Sequence, residues 1–331
     1  MVRAVERAHE IGATALQVFA DNPTAWKRRD EPPKEAVAFR SRLADLDVAP
    51  VAIHAAYLVN LAGPDDELFG RSVGLLAEEL RVAPGFSAAF VNVHVGSHRG
   101  SGTEAGTARV ADGIRLALAE VDGAPGSAVL VLENSAGGGF GLGATVEELA
   151  AIDEAARAAG VHPDRFAYCL DTAHAWGAGY RISEPDEVDA LLAALDERIG
   201  LGRIRMVHLN DSKAGCGSHA DRHEHLGAGS IGPRGLARIL THPGLAGAAY
   251  YLETPGMDEG YDAVNVERAR ALAAGEPLPE LPPEAANVRG SRARTGPRPA
   301  GTRTARKGVP GGRAAQAARA ARGARKGVPG A

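Results

Sequence analysis

A chain of 331 residues, 45% of them hydrophobic, can build one large α/β domain of about 250–280 residues plus an extension. Two distant cysteines, Cys169 and Cys216, without CxxC spacing, argue against a disulfide framework and suit a reducing cytoplasm; no apolar run approaches the ~20 residues of a membrane span. The net charge of −4 averages two unlike regions: from Asn287 onward stand 12 Lys or Arg and no Asp or Glu, so residues 1–286 carry 25 basic against 41 acidic side chains, a balance of −16.

The chain opens on an amphipathic helical pattern, Val2–Ile11, with no signal-peptide core. Seven short apolar, β-rich runs follow at Ala15–Ala20, Val48–His54, Phe90–Val95, Ala128–Glu133, Arg165–Asp171, Ile204–Leu209 and Ala248–Glu253. Between them the 3.6-residue period predicts helices such as Glu67–Val82, Ala105–Val121, Val146–Ala159, Pro185–Ile199 and Gly235–Leu240. Strict alternation implies a parallel sheet covered by helices, and continuously apolar strands imply burial on both faces. The last six runs end 37 to 45 residues apart, one βα unit each, a rhythm that points to a closed (β/α)8 TIM barrel. Only seven strands are visible at 1–282, and the initial helix should follow a strand: either the true start lies upstream, or the barrel lacks its first stave. Beyond Pro282 the composition turns to Arg, Ala, Gly and Pro, with Ala-Arg-Lys-Gly-Val-Pro-Gly at 305–311 and again at 324–330. With few large apolar groups to bury, 283–331 is expected to be a disordered basic tail. It is either a solvated extension or a segment drawn to nucleic acid by counterion release.

Six strands end on residues able to bind a metal: His54, His94, Glu133, Asp171, His208 and Glu253. In a barrel these ends face one bowl, where three carboxylates and three imidazoles would repel and desolvate badly without cations. His174 stands three residues past Asp171. Asp221 and His223 alternate about Arg222, so an extended loop can turn both toward one ion. Nine N/O ligands without a thiolate suit zinc first and manganese second, and exceed what one tetrahedral site uses, which predicts two or three ions. Such multinuclear sites typically hydrolyse phosphate esters. His98, His219 and His225 break the pattern and read as solvent-facing or supporting residues; His9, His162 and His242 read as surface, and Cys169 as packing inside the barrel.

The segments 54–61 (HAAYLVNL), 94–98 (HVGSH), 133–137 (ENSAG), 171–175 (DTAHA), 208–213 (HLNDSK), 221–227 (DRHEHLG) and 252–254 (LET) resemble, in order and spacing, the motifs of the endonuclease IV family of AP endonucleases. The resemblance covers about residues 1–273. It implies three zinc ions, with manganese an alternative at one: His54 and His94 at the first, Glu133 bridging to a second completed by Asp171, His208 and Glu253, and His174, Asp221 and His223 at the third. It also implies incision of double-stranded DNA 5′ to abasic sites, leaving a 3′-hydroxyl and a 5′-deoxyribose phosphate, by a monomer in the nucleoid-containing cytoplasm. Tyr57 and Leu58 match residues this family inserts into the duplex, while Arg222 and Lys213 are candidate phosphate contacts. Thr24, in Asn22-Pro23-Thr24-Ala25-Trp26, stands where the best-known members carry an arginine, and the basic tail is no part of the family pattern. Glu133, Asp171, His208 and Glu253 alone would also fit a single-metal sugar isomerase or epimerase; such an enzyme has no use for the other five ligands. A second alternative is a truncated, unstable barrel whose tail merely binds nucleic acid.

Overall fold

The computed structural model describes residues 1–29, 33–122 and 127–287. Most of the expected tail, from residue 288 on, lies outside the described residues. The elements run α1 (Val2–Glu10), β1 (Leu16–Val18), α2 (Ala36–Asp45), β2 (Val51–His54), α3 (Asp66–Val82), β3 (Ala88–His94), α4 (Thr103–Ala119), β4 (Val129–Glu133), α5 (Val146–Ala158), β5 (Phe166–Asp171), α6 (Thr172–Ala178), α7 (Pro185–Arg198), β6 (Ile204–His208), β7 (Asp211–Ser212), β8 (His223–Glu224), α8 (Gly232–Thr241), β9 (Ala249–Tyr251) and α9 (Asp262–Ala274). Among the described residues, no helix is long and apolar enough to cross a membrane.

Seven parallel strands pair in the order β1-β2-β3-β4-β5-β6-β9, a nearly closed TIM barrel. Six of the seven predicted runs contain one of these strands, and Phe90–Val95 overlaps β3, which starts earlier, at Ala88. No ladder joins β1 to β9 among the described residues. A cavity of about 710 Å³ lies between them, lined on its apolar side by Ala8, Leu16, Leu240 and Val266. Among the described residues the sheet is thus open between β1 and β9. The short β7–β8 pair is antiparallel, with Asp211 opposite Glu224 and Ser212 opposite His223.

Two apolar layers follow from the pleat. One fills the space between sheet and helices, including Phe39, Leu76, Ile114, Leu132 and Leu192. The other fills the barrel: Ala52, Phe90, Val131, Ala167, Cys169, Met206 and Tyr251. These inner residues stand two or four positions before His54, His94, Glu133, Asp171, His208 and Glu253, and side chains two apart on a strand share a face. Each strand but β1 thus plugs the barrel with an apolar residue and leads to a polar terminus in the bowl.

Helix starts are set by short polar side chains. Asp65 accepts from Leu68 N at 2.8 Å ahead of α3, and Thr145 from Glu148 N at 3.2 Å ahead of α5, satisfying amides the helix leaves unpaired. The end of the barrel domain is also anchored. Pro283–Asn287 forms a 3-10 turn in which Ala285 is buried, its carbonyl 3.1 Å from His225 Nε2. His225, expected near solvent or behind the ligands, is instead buried packing, its Nδ1 2.8 Å from Asn265 Nδ2.

Candidate metal centre

The structure brings all nine candidate ligands into one bowl at the C-terminal strand ends. Register aligns His94 with Glu133 and Asp171 with His208. Asp171 has two tasks. Its Oδ1 accepts from His174 N at 2.7 Å, capping α6, and that one turn of helix brings His174 to the cluster, 3.1 Å from Glu133 Oε1. The Asp-x-x-His spacing is thus an N-cap geometry. Its small, almost wholly buried helix was not predicted.

Glu133 sits at the centre with its side chain fully buried. Oε2 faces His54 Nε2 at 3.8 Å and His94 Nε2 at 3.7 Å; Oε1 faces His174 Nδ1 at 3.1 Å and His208 Nδ1 at 3.4 Å. His208 Nδ1 also lies 3.3 Å from Glu253 Oε2 and 3.8 Å from Asp171 Oδ2. On the loop side, Asp221 stands 3.3 Å from His174 Nε2 and 3.0 Å from His223 Nε2. Three groupings bring ligand atoms within 4.8 Å of one another: His54, His94 and Glu133; Glu133, Asp171, His208 and Glu253; and Asp171, His174 and His223. A further grouping joins Cys169 to Glu133 and His208. Burial pushes that thiol up to about 11, so without metal it stays protonated at neutral pH, and Cys169 packs in the barrel layer as expected.

Whether a metal fits is answered by unpaired atoms. Glu133 Oε1, His208 Nδ1 and His223 Nε2 are buried without a hydrogen-bond partner, although other ligand atoms stand 3.0–3.8 Å away. A native fold rarely leaves three such atoms together without a reason. Cations would satisfy all three, and the donor set is one that zinc accepts.

Electrostatics agree. Burial works to raise the Glu133 carboxyl, but His94 and His208 outweigh it and hold it well below its ordinary range. Burial likewise works to lower His223, but Asp221 and Asp171 raise it to about 9. Without metal, His174, His208 and His223 therefore hold protons at neutral pH, while burial works against a proton on His54. Metal uptake must displace them, so protons should be released and affinity should climb as pH rises toward about 9. Calorimetry in buffers of different ionisation enthalpy reads the proton count; an affinity indifferent to pH would contradict the assignment.

Other residues orient the ligands. His54 Nδ1 lies 2.7 Å from Ala55 O, His174 Nδ1 2.9 Å from Asn134 O, and His223 Nδ1 2.9 Å from Glu253 O. Asn92 Nδ2 donates to Glu133 Oε2 at 2.5 Å, and Asn210 Nδ2 to Asp171 Oδ2 at 2.8 Å. Such partners fix tautomer and orientation. Sequence reasoning missed these asparagines; the signal was a polar residue inside an apolar strand, as in Val91-Asn92-Val93.

The rim carries the candidate DNA contacts. Tyr57 is 62% exposed, its ring 5.3 Å from Phe19 and 5.6 Å from His54. Leu58 is half-buried against the core. Their loop is held at both ends. Buried Glu79 accepts from Ala56 N at 3.2 Å and pairs with Arg28 at 3.0 Å, while Arg28 donates to Asn22 O at 2.9 Å. At the other end Asn60 clasps Ser97 through bonds of 2.9 and 3.1 Å. Gly96, at φ +102°, allows this clasp, since a Cβ there would lie 2.2 Å from Asn60 Oδ1. Lys213 pairs with Glu224 at 3.4 Å. Exposed Arg222 lines a cavity of about 450 Å³ with Asp221, His223 and Glu253.

The sequence profile of the xylose isomerase-like TIM barrel family matches residues 5–276. A probable endonuclease 4 of Methanoculleus marisnigri is 40% identical over 271 residues, 82% of this chain and 94% of the relative. One of Halorhodospira halophila is 40% identical over 280 residues, 85% of this chain and 92% of the relative. The crystal structure of endonuclease IV from Thermus thermophilus superposes with a TM-score of 0.71 at 40% identity, covering 83% of this chain and 94% of that one. A D-tagatose 3-epimerase-like protein superposes with a TM-score of 0.62 at 17% identity, covering 82% and 93%, a likeness of fold alone. The chain therefore belongs to the endonuclease IV family of xylose isomerase-like TIM barrels.

Proposed function

We propose that this protein is a DNA-repair phosphodiesterase that incises double-stranded DNA 5′ to abasic sites, using three zinc ions, and leaves a 3′-hydroxyl and a 5′-deoxyribose phosphate. The observation that carries the reading is the nine-residue cluster. Its unpaired buried atoms call for cations, and five of its members exceed what a one-metal isomerase needs. Identity of about 40% to proteins named endonuclease 4 gives the cluster its substrate, DNA.

His54 and His94 with Glu133 would hold one ion; Glu133, Asp171, His208 and Glu253 a second; and His174, Asp221 and His223 a third. Zinc bound there would supply Lewis acidity, water activated at neutral pH and compensation for phosphate charge. The protein's own contribution is placement. Glu133 turns one oxygen to each side of the cluster, which suits it to be the shared ligand of two sites. Tyr57 and Leu58, on a loop fastened at both ends, would wedge into the duplex where a base is missing and stacking is weakest. Arg222 would meet phosphate. Lys213 is committed to Glu224 and would do so only by exchanging partners. We assign the chain a monomeric action in the nucleoid-containing cytoplasm.

A duplex holding one abasic site tests this. The expected cut lies 5′ to the lesion, on an end that a DNA polymerase extends directly. A blocked 3′ sugar remnant, or no cut by metal-loaded protein, would overturn it.

The basic segment from Asn287 onward has a part in this reading. Residues 1–286 carry a balance of −16 and 287–331 one of +12, so the segment would supply long-range attraction to DNA that the barrel lacks. Deleting 287–331 should weaken DNA binding and flatten its dependence on salt, since each phosphate contact contributes about 0.9 to the logarithmic slope. An unchanged slope would exclude this role.

A further inference from the structure

Gln17 is a polar residue in the three-residue edge strand β1 (Leu16–Val18). Its register partner is Ala52 of the inner apolar layer, so both side chains face the barrel axis. Its carboxamide makes two bonds. Nε2 donates to Glu253 Oε1 at 2.8 Å, and Oε1 lies 3.0 Å from His208 Nε2. Only one orientation of the amide satisfies both, since a carboxylate accepts and cannot donate. The carbonyl must then face His208, which keeps a proton on His208 Nε2 and leaves Nδ1 as the nitrogen that, on giving up its proton, turns a lone pair into the cluster. Occupying Glu253 Oε1 leaves Oε2, 3.3 Å from His208 Nδ1, as the oxygen offered to the same place.

From this geometry we propose that Gln17 is a positioning residue for the metal site made by Glu133, Asp171, His208 and Glu253. It selects which atom of His208 and which oxygen of Glu253 face the ion. The proposal rests on reading the cluster as a metal centre. Backbone carbonyls hold His54, His174 and His223, and no side-chain substitution removes those. His208 depends on a side chain. The Gln17–Glu253 bond also spans the break in the sheet between β1 and β9, so one amide couples the open seam to the site.

The test titrates metal-free full-length protein with Co2+, following visible absorption, and with Zn2+ against a chromophoric chelator. Gln17→Met keeps length and volume but loses both bonds. It should weaken one binding step about 10–100-fold, the loss typical when a ligand's hydrogen-bond partner is removed, and alter the cobalt spectrum of that step, leaving the others unchanged. Gln17→Glu keeps an acceptor for His208 but sets an anion against Glu253; it should disturb the same step. Val18→Ala, a neighbour outside the ligand set, controls for damage to the strand and should leave every step as in the parent. Parental steps in both Gln17 variants would overturn the proposal. So would equal weakening of all steps with a lowered melting temperature, which would mark a merely structural residue. If the unaltered chain takes up no cobalt or zinc, the metal reading fails and this inference with it.

Discussion

Glu133→Gln should lower kcat/KM on an abasic duplex by about 10³-fold or more, roughly 4 kcal/mol of transition-state stabilisation. The substitution barely changes volume, so the loss would be electronic. The carboxylate is fully buried and shared, with His54 and His94 before one oxygen and His174 and His208 before the other. An amide there removes the charge held in place by His94 and His208 and turns a donor toward one set of ligands. Because Glu133 belongs both to the grouping with His54 and His94 and to that with Asp171, His208 and Glu253, metal content should fall at two sites together. Exposed His162, which caps the 3-10 turn Pro163–Arg165, provides the contrast: His162→Ala should leave activity within about twofold, as surface changes far from a site usually do. Activity of Glu133→Gln within tenfold of the parent would remove Glu133 from the centre of the mechanism.

Stripping the metal should lower the melting temperature by about 8 °C for each tightly held ion. A ligand present at about 1,000 times its dissociation constant stabilises the folded state by about 4 kcal/mol, and a domain of this size loses about 2 °C per kcal/mol. Protons on His174, His208 and His223 replace only part of that stabilisation, because Glu133 Oε1, His208 Nδ1 and His223 Nε2 stay buried and unpaired. Scanning calorimetry before and after chelation reads the shift, and adding zinc back should reverse it. A melting temperature indifferent to chelator would mean that the cluster carries no metal of consequence to folding.

The barrel and the candidate ligands at its strand ends were legible because one physical rule wrote both. Strands buried on two faces read as apolar runs, and each run stops where the chain reaches the bowl and a polar side chain becomes tolerable. His54, Glu133 and Asp171 therefore mark the strand ends and the site at once. Elements whose burial breaks that rule were hidden. In α9 the buried stripe includes Asn265 and Arg268 beside Ala271 and Leu272, so no apolar period marks the packed face. In α6 the residues Thr172 through Gly177 are buried on every side, polar ones included, leaving no period to read. The ligand-orienting amides Gln17, Asn92 and Asn210 fall between these cases. Each is visible as a polar interruption, but which atom it orients depends on contacts between strands far apart in sequence.

The central claim, that nine residues at the mouth of an incomplete barrel hold a multinuclear metal centre, is met most directly by counting metal. Elemental mass spectrometry on the purified full-length protein should find about three zinc ions per chain, the number that four-coordinate sites sharing ligands allow. Less than about one divalent ion on a folded chain resupplied with zinc would contradict the account, and the unpaired atoms of Glu133, His208 and His223 would then need another explanation.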